Sequence, residues 1–389
     1  MQNNNYNYYF HNTAADHGET MHARVPVMAT LTGAILLAFA SSATAATSQY
    51  SLSQLTPFNG GAGSSAASIN RAGQITGNID GQAVIWSGST LTYLNWGGAP
   101  TNGNAINDLG QVAGNAQFGS VSKATRWTGG QPSDLAPTGT DSMAFGINHA
   151  GTVVGYASGS LPGQIATQAI VWSGAQATVL ASLSGGKNTS EAIAINNAGM
   201  IVGGSAVNSS GSMRHAVSWS AGAGTITDLG TLGGPNSWAT AINDAGVIAG
   251  WASISGNLAN HAVLWNGTAL HDLGTGSMDS AVATGINNVG QTVGYTRNTT
   301  STVYHATLWN GDTAVDLNSY LSPELASEGW VLQRATGIND LGQIVGIASN
   351  DRFASQAFLL SPVPEADGYA MLLAGLGLVG WMARRRKAA

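Results

Sequence analysis

No cysteine occurs in the 389 residues, which removes disulfides, thiolate catalysis and cysteine-ligated zinc together. An exported chain of this kind must hold itself by packing alone. Charge is scarce as well: Asp, Glu, Lys and Arg make up 8% of the chain, about a third of the usual share. The net charge of −6 comes with no basic stripe, so an electrostatic footprint for nucleic acid is missing and that partner is excluded. Past residue 45 the glutamates are only Glu191, Glu324, Glu328 and Glu365. A glycosidase needs two carboxylates about 5–10 Å apart across a cleft, and the sequence nominates no such pair. Glu324 and Glu328, four apart after Pro323, fit the solvated face of a short helix. No Gly-x-Ser-x-Gly, His-Glu-x-x-His or P-loop pattern is present. The expectation is a protein that is not an enzyme and carries no cofactor.

Burial and turns, by contrast, are well supplied. Glycine numbers 53 residues, hydrophobic residues make up 43% and tryptophan numbers 11, a composition for a large turn-rich β architecture with a substantial core.

Both ends carry processing signals. After Met21 come His22 and Arg24, an apolar run through Leu31, Ile35, Leu36, Leu37 and Phe39, and then Ala43-Thr44-Ala45. That order is a secretory signal peptide, cleaved by signal peptidase after Ala45. The polar stretch before Met21 is either a long n-region or a sign that translation starts at Met21. At the other end, Val363-Pro364-Glu365-Ala366 precedes an apolar stretch over residues 369–383 and the cluster Arg384, Arg385, Arg386 and Lys387. A helix of that length reaches about 22 Å, short of the ~30 Å hydrocarbon core, which suits a transient transmembrane anchor. The positive-inside rule leaves everything before it outside the cytoplasm. This three-part tail resembles the PEP-CTERM sorting signal of Gram-negative bacteria, with Val363, Pro364 and Glu365 on the motif and Ala366 where the family has a second proline. The resemblance implies processing by exosortase at the inner membrane and cells that make exopolysaccharide and biofilm. A plain membrane anchor is the alternative.

Between the signals one pattern recurs seven times: Ile-Asn-x-x-Gly with a second Gly four residues on. Its asparagines are Asn70, Asn107, Asn148, Asn196, Asn243, Asn287 and Asn339, spaced 37, 41, 48, 47, 44 and 52 apart, the range of four short strands and their turns. Asn opening a type I turn and Gly closing it in the left-handed conformation predict a hairpin. A metal-binding loop at Asn107, Asn243 and Asn339, each followed by Asp, is the competing reading. Arg71 and His149 at the equivalent place speak against it. A second element, Ala-x-x-Trp, places Trp86, Trp127, Trp172, Trp219, Trp265 and Trp309 at one point of each repeat, with Leu360 in the seventh. Such a ring fits wedge packing between units, the small Ala admitting it; carbohydrate stacking is the other reading. His215, His261 and His305 precede that element in three units, and they could share a zinc only if they lined a common axis.

The seventh unit lacks a last strand, and residues 50–55 have its pattern. The expected architecture is therefore all-β, a seven-bladed β-propeller-like repeat domain whose N-terminal strand closes the last blade, with an open solenoid as the rival. The predicted domains are a signal peptide and extension over 1–45, the repeat domain over 46–361, and the sorting tail over 362–389. The repeats resemble the HAF family of extracellular repeats, best at His215-Ala216, His261-Ala262 and His305-Ala306, a resemblance that implies architecture and export but no chemistry. The function expected is a monomeric, secreted or cell-surface, non-catalytic scaffold associated with exopolysaccharide. A polysaccharide lyase or hydrolase is the alternative, to be favoured if Glu191, Asp141 or Asp279 cluster beside an exposed Trp.

Overall fold

The computed structural model describes residues 50–363 apart from 57, 59–62, 136–140, 159–166, 175, 184–188, 209, 223, 257–258 and 351–354. Both the signal-peptide site at Ala43 and Ala45 and the tail residues Pro364, Glu365, Arg384, Arg385 and Arg386 lie outside the described residues, as does the apolar segment 369–383. Among the described residues no helix is long and apolar enough to cross a membrane.

Seven four-stranded antiparallel sheets make a seven-bladed propeller. Blade 1 runs outward through strands Ser64–Ile69, Ile75–Ile79, Gln82–Ser87 and Thr90–Leu94, and blades 2 to 6 repeat that order. Blade 7 takes three strands, Val331–Ile338, Ile344–Ser349 and Gln356–Pro362, from its own repeat. Its fourth is Tyr50–Gln54, paired antiparallel with the last of these from Tyr50↔Pro362 to Gln54↔Phe358. The ring is thus closed, and the open solenoid is ruled out.

Six of the seven blade boundaries set a Trp against an alanine of the preceding blade. Trp127 of blade 2 lies in one apolar cluster with Ala83 and Leu94 of blade 1, and Trp219 of blade 4 with Ala169 and Leu180 of blade 3. Trp265 sits with Ala216 and Leu229, and Trp309 with Ala262 and Leu273. A large ring therefore fills the space left by an alanine one blade earlier, and the leucine that ends the outer strand seals it. Trp86 closes the circle against Val345 and Ala357 of blade 7. Blade 7, without a Trp at that point, packs Phe358, Leu360 and Trp330 on Ala306 and Leu317 instead.

Residues 317–330 form a 3-10 turn, Leu317–Tyr320, and a short helix, Pro323–Ser327, capped by Ser322. This insertion holds the closing strand. Tyr320 meets Tyr50 edge-on at 5.2 Å, and Trp330 lies 4.5 Å from Phe58. Burial beside Tyr320 pushes the Tyr50 hydroxyl up to about 12.

Candidate functional site: the two ends of the axis

Every inner strand ends in an Asn turn, and the seven turns surround one end of the propeller axis. Asn107 shows the local logic. Its backbone carbonyl accepts from Gly110 N–H at 3.0 Å, and its side-chain Oδ1 accepts from Gln111 N–H at 2.9 Å. Gly110, at φ 71°, can make that turn because no Cβ opposes the left-handed conformation. Asparagine has a further polar atom, and it reaches out of the blade: Nδ2 donates to the Asn148 carbonyl at 2.9 Å. The same bond runs from Asn148 to Asn196, Asn196 to Asn243, Asn243 to Asn287 and Asn287 to Asn339. Asn339 to Asn70 and Asn70 to Asn107 complete the circle. All seven asparagines are buried. The side-chain oxygens of Asn107, Asn243 and Asn339 each accept from the backbone of their own turn.

The next residue of each turn forms a looser rim. Arg71 N–H donates to Asp108 at 2.9 Å, His149 N–H to Asn197 at 2.9 Å, and Asn197 N–H to Asp244 at 3.0 Å. Asp244 N–H and Asn288 N–H donate likewise to Asn288 and Asp340, both at 2.8 Å. These carboxylates and amides accept from neighbouring turns around a cavity of about 220 Å³.

Asn243→Ala should therefore remove an acceptor from Val247 N–H and a donor from the Asn287 carbonyl, contacts of 2.9 and 3.1 Å. One half-buried backbone N–H left unsatisfied, and one buried carbonyl left with only its own turn bond from Gly290 N–H at 3.2 Å, cost about 1–3 kcal/mol. Urea unfolding should show a lower midpoint at unchanged m-value; an unshifted midpoint would remove the turn ring from the account of stability.

Further along the axis a cavity of about 330 Å³ is walled by residues including Asn104, Phe145, Ile193, Thr240, Thr284 and Thr336. Each lies three residues before its Asn, where the inner strand bulges. The threonine hydroxyls staple blades: Thr240 donates to the Ala283 carbonyl at 2.8 Å, Thr284 to Ala335 at 2.6 Å and Thr336 to Ala66 at 2.9 Å.

The opposite end of the axis, where the inner strands begin, is built differently. Five residues before each Asn stand Ser65, Asn102, Met143, Glu191, Trp238, Val282 and Arg334. Paired across from them on the second strand are Asn78, Asn115, Tyr156, Gly204, Trp251, Tyr295 and Ile347. No two blades carry the same pair. All of these except the buried Asn115 and Gly204 are half-buried, and the aromatic and charged ones meet across blade boundaries. Arg214 of blade 4 lies over the Trp238 ring of blade 5 at 5.6 Å and bridges Glu191 at 3.1 Å. Arg334 of blade 7 lies over Tyr295 of blade 6 at 4.9 Å. Burial raises the Tyr156 hydroxyl above its ordinary value, helped by the nearby carboxylates of Asp141 and Glu191. The phenol therefore stays protonated.

The residues singled out in the sequence are thus dispersed. Trp86, Trp127, Trp172, Trp219, Trp265 and Trp309 are buried at blade boundaries, which excludes stacking of a carbohydrate on them. His215, His261 and His305 sit on third strands of three blades, each against its own outer-strand carboxylate, Asp228, Asp272 and Asp316, at 2.9, 2.8 and 2.7 Å. They do not converge. Asp279 holds Thr299, and Asp141 accepts from Ser122 N–H at 2.9 Å. Trp238, Trp251, Tyr295 and Arg334 belong to no repeated motif. Their signal was the converse, a repeat position that every blade fills differently.

Residues 362–387 match the PEP-CTERM protein-sorting motif, which implies an exported protein processed by exosortase at the surface of a Gram-negative cell. The match begins at Pro362, the last residue of blade 7. No curated protein matches the chain in sequence. Among solved structures, a gluconolactonase from Xanthomonas campestris is similar at 11% identity and TM-score 0.42, over 82% of this chain and 93% of its own. A puromycin-hydrolyzing peptidase from Mycobacterium tuberculosis is similar at 10% identity and TM-score 0.44, over 76% of this chain and 49% of its own. Similarity of that degree says nothing of activity.

Proposed function

We propose that this chain is an exported, monomeric, non-catalytic propeller scaffold whose variable axial end binds extracellular polysaccharide. The observation that carries the reading is the contrast between the two ends. At one, the repeat-invariant asparagines are fully used by the fold. At the other, half-buried Tyr156, Trp238, Trp251 and Tyr295 stand among polar side chains in a combination no two blades share. Half-exposed aromatic faces beside hydrogen-bond donors suit sugar rings, which present C–H faces and a rim of hydroxyls. The likeness of the repeats to the HAF family, and the association of the sorting signal with biofilm-forming cells, support the same reading.

Against catalysis stand the engaged carboxylates, Glu191 on Arg214 and Asp141 on a backbone N–H, and a Tyr156 hydroxyl raised away from the range of a base. One observation favours a lyase or hydrolase as second reading: the carboxylates of Asp141 and Glu191 both act on Tyr156, and Arg214 joins Glu191 to the Trp238 ring. Glycan-array binding of the full chain tests both. One glycan class should bind, and Trp238→Ala with Trp251→Ala should weaken it about tenfold or more. Absence of binding to any glycan would end the first reading; release of new reducing or unsaturated chain ends would install the second.

A further inference from the structure

Two guanidiniums at the boundary of blades 6 and 7 have no carboxylate partner among the described residues. Arg334 lies over the Tyr304 ring at 4.4 Å as well as over Tyr295 at 4.9 Å, while Arg297 lies over Tyr304 at 5.4 Å. The rings themselves meet edge-on at 5.2 Å. The other basic residues of this end are handled differently: Arg214 bridges Glu191 at 3.1 Å and Lys123 bridges Asp134 at 2.8 Å. In a chain of net charge −6, two like charges sharing one pair of rings are an exception that the fold does not require. The equivalent places hold Val282 in blade 6 and Ser65 in blade 1.

The geometry has a chemical consequence. A cation–π contact occupies the flat face of a guanidinium and fixes its plane, while the N–H donors around its rim stay free. A pre-oriented fork of this kind matches a planar carboxylate, which it grips through two parallel bonds. Tyr295 adds a neutral donor, because burial outweighs the nearby arginines and raises its hydroxyl. Cation, aromatic face and donor then lie together, with Arg334 two residues along its strand from Thr336 of the axial wall.

We propose that Arg334 and Arg297, oriented by Tyr295 and Tyr304, form a binding site for the carboxylate of an acidic glycan, a uronate unit lying across the mouth. The site rests on the polysaccharide-binding reading above, and it assigns that reading a charge class. A carboxylate could equally come from a free small acid, so the test separates the two sources.

Titration calorimetry of the full chain with a galacturonate tetramer, its fully methyl-esterified neutral form and monomeric galacturonate decides the matter. The acidic tetramer should bind, and the neutral ester should bind about tenfold more weakly or worse, because hydrogen bonds to a charged group are lost. Arg334→Gln with Arg297→Gln should erase the preference for the acid. Arg334→Lys should restore it only in part, since an ammonium has no fork. Thermal unfolding of each variant, matching the parent, shows that the blade boundary survives. Equal binding of acid and ester, lost in Trp238→Ala, would overturn the carboxylate site and leave the polysaccharide reading standing. Monomer binding as tight as the tetramer would overturn the glycan source, and binding of none of the three would overturn the proposal outright.

Discussion

Deleting residues 50–55 from the full chain will abolish the monomeric propeller: the protein will elute as strand-exchanged oligomers or aggregate, with its cooperative unfolding transition broadened or lost. Strand Tyr50–Gln54 supplies five register pairs to Gln356–Pro362, and its removal strips the backbone edge of blade 7. Unpaired edges of this length, beside apolar residues such as Leu359, are templates for pairing with other chains. The loss does not stop at the edge. Tyr50 packs on Tyr320, so the insertion between blades 6 and 7 loses that contact, and Phe58, which packs on Trp330, loses the strand that leads into it. Size-exclusion chromatography with scattering detection provides the check. A deletion variant that stayed monomeric, with the parent's transition, would show that blade 7 stands on three strands and that closure is ornamental.

Gly114→Ala will be nearly as damaging, for a reason confined to one atom. A Cβ built at Gly114 falls 1.8 Å from the Asn102 carbonyl oxygen and 2.9 Å from its carbon, where the inner strand bulges between Gly103 and Ala105. Nothing flexible can yield, since the obstacle is the backbone of the paired inner strand. The cost should exceed the roughly 1–3 kcal/mol of ordinary overpacking, visible as failure to accumulate folded protein or as a large drop in denaturation midpoint. Gly119→Ala supplies the contrast: its φ is 62° but the space around it is open, so it should cost only the about 1–2 kcal/mol of the left-handed backbone. Similar losses at both sites would mean that conformational freedom, and not close approach, explains the second glycine of the repeat.

That second glycine marks the boundary of what could be read in advance. Seven units, the turn at Asn107-x-x-Gly110, the wedge of Trp127 on Ala83 and the return of Tyr50–Gln54 to the last blade were all legible, because each depends on local turn chemistry or on apolar periodicity. The partners of the asparagines were not, since the acceptor of Asn70 Nδ2 is a main-chain carbonyl 37 residues away, and every residue type has one. Seryl latches escaped for the same reason. The Ser142 hydroxyl accepts from Ala124 N–H at 3.0 Å and the Ser237 hydroxyl from Ala216 N–H at 2.8 Å, yet serine at a strand start has no distinctive spacing. The variable mouth was hidden by its own nature. A search for repeated patterns discards the positions where Glu191, Trp238 and Arg334 replace one another, although aligning the seven units against each other would have exposed them.

The asparagine turns also settle how the propeller knows it is whole. Each side-chain amide donates a hydrogen bond to the next unit's main-chain carbonyl, so the polar contacts form a directed circuit. An arc of the same units would leave one N–H of Asn339 Nδ2 unbound and the Asn70 carbonyl with only the Gly73 N–H of its own turn, a buried donor lost at one end and an inter-blade bond lost at the other. Only when the last amide, at Asn339, finds the carbonyl of Asn70, 3.0 Å away, does the circuit have no ends to penalise.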